Sequence, residues 1–263
     1  MKQVISLLTT LMFLLVSFSA CTSTDEALPV TDWDLRAIGY YENWDKELSD
    51  KGYKIGIVDI ASKAISDDGC TEVTHTDLLK AIVTRLTAIC EVEVIELSEE
   101  NNTTDELIRA IEMLIDRGHK VINVSLGTSE AFEFSDELNE KIINNDVFVI
   151  CSAGNTSVGL MYPALCKNTY SVLPCDIYKR TNKNLEGVEK CSYTMPGLHV
   201  QLFDNYFSGS SISAVYFSVI CAAFCAAHPN LERDAIINNI QNSCVLNDGN
   251  SYGIIQIDSL FKN

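Results

Sequence analysis

Positive charge is what this chain has little of. Nineteen Lys and Arg stand against 36 Asp and Glu, a formal charge of −17. The pI is near 4.5. A phosphate backbone repels such a surface, which argues against nucleic-acid binding. Histidine is scarce as well, with four in the chain, so few groups can serve as a general base near neutral pH. No glycine-rich phosphate loop follows a strand, which argues against nucleotide chemistry. No Cys-x-x-Cys pair occurs. Cys221 and Cys225 are four apart, and their Ala-rich surroundings fit small core residues better than a metal pair. No acidic cluster shows a recognisable calcium spacing, and no cofactor site is identified. Internal repeats and low-complexity segments are absent.

What is present is a long, apolar chain. Its 263 residues are 47% apolar, too many for a disordered polymer and enough for a real core. Ten cysteines do not make a disulfide scaffold, because that logic belongs to chains well under 100 residues. Cys151, Cys221 and Cys225 read as core residues. Cys70, Cys166, Cys175, Cys191 and Cys244 lie in loop-like stretches where bridging is conceivable, and Cys90 ends a helix.

The N-terminus carries an address. Lys2 precedes an apolar run from Val4 to Phe18, too short for a membrane span and the right length for a leader core. The run ends in Phe18-Ser19-Ala20-Cys21, which resembles the lipobox of bacterial lipoproteins, where the cysteine becomes the lipidated first residue. Phe18 departs from the usual Leu, and an ordinary cleaved leader with an incidental Cys21 is the alternative. The expectation is a leader over 1–20, a lipidated tether and extension over 21–47, and one folded domain over 48–263. The mature chain would sit in the bacterial cell envelope as a monomer, touching the membrane through its lipid only.

From Tyr53 onward strands and helices alternate. Tyr53–Val58, Val92–Ile95, Val121–Val124 and Val147–Ile150 are near-continuous apolar runs, the mark of strands buried on both faces. Between them, Leu78, Leu79, Ile82, Val83 and Leu86 recur at helical spacing. Thr103 to Glu106 reads as a capping box opening a second helix, and Ser135 caps a third through Asn144. Ser210 to Ala227 is a buried helix, and Asn230 opens a last one through Asn242. Thr181 to Lys190 is a polar surface excursion. The pattern predicts an α/β fold of three layers, a doubly wound, mostly parallel sheet.

In such sheets, sites gather where the strands end. Asp59 follows the first strand, Ser125-Leu126-Gly127 the third, and Ser152-Ala153-Gly154-Asn155 the fourth. His75 opens the first helix and Ser211 the buried one. The order Asp, His, Ser on this architecture resembles the subtilisin-like serine peptidases. Ile55 to Asp59 is similar to that family's aspartate strand. Val121 to Gly127 is similar to its substrate-binding strand, and Val147 to Asn155 to its oxyanion segment. Tyr162-Pro163-Ala164 and Pro196-Gly197 fall at similar turns. Gly209-Ser210-Ser211-Ile212-Ser213-Ala214 resembles the Gly-Thr-Ser-Met-Ala motif, and Tyr252 to Ile255 the closing strand.

The resemblance implies roles. Ser211 would be the nucleophile, His75 the general base and Asp59 the group that orients it. Asn155 would donate to the oxyanion. Ser125, Leu126 and Gly127 would pair with a peptide or protein substrate by strand addition. Many family members bind calcium, but no site for it is recognisable here. The chain also departs from the pattern. Ile60-Ala61 follows Asp59 where the family has Thr or Ser and then Gly. His-Gly-Thr-His becomes His75-Thr76-Asp77-Leu78. Ser210 replaces a Thr, the usual Pro after the motif is missing, and no pro-domain is visible. These changes keep a second possibility open, a catalytically silent peptide-binding or structural module.

Overall fold

The apolar run Tyr53–Ile60 forms β1, and its burial is nearly complete. The hairpin strands β2 (Lys63–Ser66) and β3 (Gly69–Thr74) follow, then α2 (His75–Leu86) and β4 (Cys90–Leu97). A short α1 (Trp33–Ala37) precedes them all. Next come α3 (Thr104–Asp116), β5 (Val121–Val124), α4 (Asp136–Asn144), β6 (Phe148–Ser152), β7 (Thr169–Cys175) and β8 (Tyr193–Pro196). A second hairpin, β9 (Val200–Leu202) and β10 (Asn205–Phe207), leads into α5 (Ser210–Ala227) and α6 (Arg233–Asn242). This computed structural model describes residues 32–98, 100, 102–155, 159–181, 190–246 and 253–261. The leader, Cys21 and most of the polar excursion after Thr181 lie outside the described residues, as does Tyr252 of the closing strand.

Six strands form one parallel sheet in the order β4-β1-β5-β6-β7-β8. Each face buries its own cluster. Ile55 and Ile57 point to the face covered by α2 and α5. Val58 and Ile60 point to the face covered by α3 and α4. The result is the expected three-layer α/β fold. Strand side chains alternate, so Asp59 shares the face of Ile55 and Ile57 and looks toward α2 and α5.

The caps behave as local chemistry dictates. Thr74 opens α2 by accepting from the Asp77 N–H at 3.0 Å. Thr103 and Ser135 do the same for α3 and α4. α6 begins at Arg233 rather than after Asn230, because residues 228–231 close a turn in which the Leu231 N–H donates to the His228 carbonyl. Residues 32–48 pack into the same cluster as α5 through Trp33, Ile38, Trp44 and Leu48. The Trp44 indole N–H donates to the Leu86 carbonyl at 2.8 Å, and Arg85 grips the buried Asp34. The packed body therefore starts ahead of residue 48. α5 is long and apolar enough to cross a bilayer by composition, but its side chains are spent on the sheet and on α2.

Candidate active site

Asp59 is wholly buried at the end of β1. His75 is the first residue of α2 and also buried, with its backbone N–H held by the Ser62 carbonyl at 2.9 Å. Its ring Nδ1 lies 2.9 Å from Asp59 Oδ1 and 2.8 Å from Oδ2. A carboxylate only accepts when ionised, so Nδ1 carries the proton and Nε2 is left as the basic nitrogen. The structure thus joins two of the residues singled out above, 16 apart in the chain.

Ser211 sits in the first turn of α5. Its hydroxyl donates to the Ser125 carbonyl at 3.2 Å, not to His75. Its backbone N–H is one of the unpaired donors of a helix start and has no partner among the described residues. Ser213, half a turn on, ties the helix to β8 by donating to the Pro196 carbonyl at 2.9 Å.

Asn155 stands opposite this helix start. Its Oδ1 accepts the Ser210 N–H at 2.6 Å, which orients the amide and leaves Nδ2 free of partners among the described residues. The Ser210 hydroxyl accepts the Gly154 N–H at 3.1 Å, a second tie between the two segments. Nδ2 and the Ser211 N–H are therefore two donors at one place, suited to an anionic oxygen.

Ser125, Leu126 and Gly127 continue β5 beyond its ladder. The Ser125 N–H still bonds the Val58 carbonyl at 3.1 Å, while the Leu126 and Gly127 N–H groups have no backbone partner among the described residues. Thr128 then exchanges two hydrogen bonds of 2.9 Å with Tyr162. Between this segment and Gly154 lies the Met161 side chain. A Cβ on Gly127 would come within 3.2 Å of Met161 Cβ, and one on Gly154 within 2.9 Å of its Cγ. Gly154 also has φ +108, a conformation that favours glycine.

The thiols beside the site are not nucleophiles. Burial drives Cys151 well above the ordinary thiol range and Cys191 to about 11, which keeps both protonated and unreactive. Among the described residues, no three His, Cys, Asp or Glu side chains gather closely enough to hold a metal.

The subtilase family model matches residues 64–254, most of the chain. The chain belongs to the subtilase family. The match starts after Asp59, so the aspartate is connected to the rest of the site by its contact with His75. Family membership supports a peptidase type of function, with protein or peptide substrates, for this subtilase. No curated protein matches it. Among solved structures, fervidolysin from Fervidobacterium pennivorans, a keratinolytic enzyme related to subtilisin, superposes with a TM-score of 0.66 at 18% identity. The match covers 88% of this chain and 45% of fervidolysin, so the chain spans under half of that protein. The prenylagaramide maturation protease PagA gives 0.63 at 18% identity, over 84% of this chain and 98% of PagA. The subtilase cytotoxin SubAB structure gives 0.67 at 15% identity, over 88% and 95%. At these identities the structures speak for the fold.

Two neighbours of Asp59 escaped the sequence reading. Thr76 Oγ1 lies 3.1 Å from Asp59 Oδ2 and also meets Glu96 Oε1. Glu96 pairs with Asp59 across the β1–β4 ladder. Thr76 had a visible signal, since it replaces the glycine of the family pattern. Glu96 had none, because parallel register is not written in either strand alone.

Proposed function

We propose that this subtilase is a serine endopeptidase working through Asp59, His75 and Ser211. The observation that carries the reading is the buried Asp59 carboxylate holding His75 Nδ1 at 2.8 Å, on the edge of the fold where α5 presents Ser211. A substrate strand bonding residues 125–127 brings an N–H to the Ser125 carbonyl and competes for the acceptor that now holds the Ser211 hydroxyl. His75 Nε2 then takes the hydroxyl proton while Oγ attacks the scissile carbonyl carbon. The resulting oxyanion meets Asn155 Nδ2 and the Ser211 N–H. His75 returns the proton to the departing amine nitrogen, leaving an acyl-enzyme, and water repeats the cycle. We further propose that the chain is exported, anchored through a lipid on Cys21, and acts as a monomer in the cell envelope without a cofactor.

The Ser211–Ser125 bond also favours a second reading, a strand-pairing module without turnover. A serine-reactive fluorophosphonate separates the two. Labelling of the wild type and not of Ser211→Ala is the result expected for the peptidase. Absence of labelling in both, with retained peptide binding, would favour the silent module. Palmitate incorporation that survives Cys21→Ser would rule out the anchor.

A further inference from the structure

Resting on the peptidase reading, we propose that Thr76 is a positioning residue for the Asp59–His75 pair and that Glu96 governs whether it acts. A buried carboxylate needs more than one donor to offset lost hydration. Among the described residues, Asp59 has two partners, His75 and the Thr76 hydroxyl. Ile60, the residue after Asp59, is buried in the core under α3 and brings no hydroxyl. Thr76 sits beside His75 on α2 and supplies one to Asp59 Oδ2, the oxygen that also meets His75 at 2.8 Å.

That hydroxyl has one proton and two carboxylates in reach. Asp59 Oδ2 lies on one side at 3.1 Å and Glu96 Oε1 on the other at 2.5 Å. The titratable groups around it are Asp59 of β1, Glu96 of β4 and His75 of its own helix. When Glu96 is ionised it competes for the Thr76 proton, and Asp59 shares that donor. When Glu96 carries a proton it donates to Thr76 Oγ1, and Thr76 donates in turn to Asp59. Asp59 holds the hydroxyl undivided only in the second state. Glu96 is exposed and Asp59 is not, so solvent protons reach the buried carboxylate's support through Glu96.

Three variants read this. Thr76→Val keeps the shape and removes the hydroxyl. It should lower kcat, and the fluorophosphonate labelling rate, about tenfold with KM unchanged, the scale of one hydrogen bond to a charged group. Thr76→Ser should restore the rate. Glu96→Gln offers Thr76 an amide donor at every pH and should hold kcat at or above wild type. In the Ser211→Ala background, the downfield proton resonance of the His75 Nδ1–H reports the Asp59 bond without any turnover. It should move upfield in Thr76→Val and stay in place in Thr76→Ser. An unmoved resonance in Thr76→Val, or a loss in Glu96→Gln as large as in Thr76→Val, overturns the proposal. If the wild type labels with nothing while the resonance moves as stated, the peptidase reading fails and the positioning role stands.

Discussion

Asn155 spends its amide in two directions. The oxygen fastens the start of α5 by accepting from Ser210, and the nitrogen has no partner among the described residues, which leaves it for the oxyanion role proposed above. Asn155→Ala should therefore lower kcat with little change in KM, since the donor is used only when charge develops. The loss known for this kind of donor in subtilisin is about 10²–10³-fold. Steady-state kinetics on one peptide checks it, and a change confined to KM would refute the assignment. Met161 poses a different question. Its side chain lies against Gly127 and Gly154, the two segments that would flank the acyl-side residue of a strand-paired substrate. Met161→Ala should shift preference toward large acyl-side residues, read as a ratio of kcat/KM for Phe against Ala substrates. An unchanged ratio would place Met161 outside the binding cleft. Asp59, His75, Ser211 and Asn155 were legible in the sequence because each follows a strand or opens a helix. Thr76 as an Asp59 partner, Glu96 and Met161 were not, because their roles arise from contacts across strands and loops.

At the level of elements, two hairpins frame the site, and a charged pair ties them. The β2–β3 turn offers Asp67, whose N–H donates to the Tyr206 carbonyl at 2.7 Å. Its carboxylate meets His199 Nδ1 at 2.6 Å. β3 runs straight into His75 and β10 leads into α5, so the pair links the two chain segments that run up to His75 and Ser211. The hydrogen bond that His199 Nδ1–H donates to the Asp67 carboxylate raises the His199 pKa above its ordinary value. A raised folded-state pKa means stability that is fully present below the unfolded value of about 6.5 and is lost as pH rises through the folded one. The His199 side chain is 65% exposed, so the contribution is screened to below about 1 kcal/mol. His199→Gln should lower the urea midpoint at about pH 5 and leave it unchanged at about pH 9. An equal shift at both values would show packing rather than charge. The hairpins themselves left little trace in the sequence. β1, β5 and β6 are mostly apolar because both faces are covered, whereas β2 alternates exposed and buried residues over four positions. Its neighbour Asp67-Asp68-Gly69 has the composition of a turn and nothing that marks a tie to His199.

For the whole molecule, the cysteines decide how it meets an oxidant. The eight described thiols, Cys90, Cys151, Cys166, Cys175, Cys191, Cys221, Cys225 and Cys244, are all free. Of the loop-like cysteines where bridging was conceivable, Cys166, Cys175, Cys191 and Cys244 are all unbridged, and most of the described thiols lie in the interior. Burial raises Cys90, Cys166 and Cys244 to about 12 and holds Cys221 well above the usual thiol range. The thiolate is the reactive form, so at pH near 8 these groups are protonated as well as enclosed. Such a chain can pass through an oxidising compartment with its buried, described thiols intact for as long as it stays folded. Two measurements follow. A chromogenic disulfide reagent should react slowly with the native protein at about pH 8 and with all the described thiols once urea opens the core. The urea unfolding midpoint should be the same with and without reductant, because no described cross-link constrains the unfolded chain. Fast native titration of most thiols would mean the sheet faces open far more readily than their packing implies. A midpoint that falls in reductant would mean that the folded chain in solution carries a bridge, and the stability would then rest on a covalent tie rather than on the two clusters that sandwich the sheet.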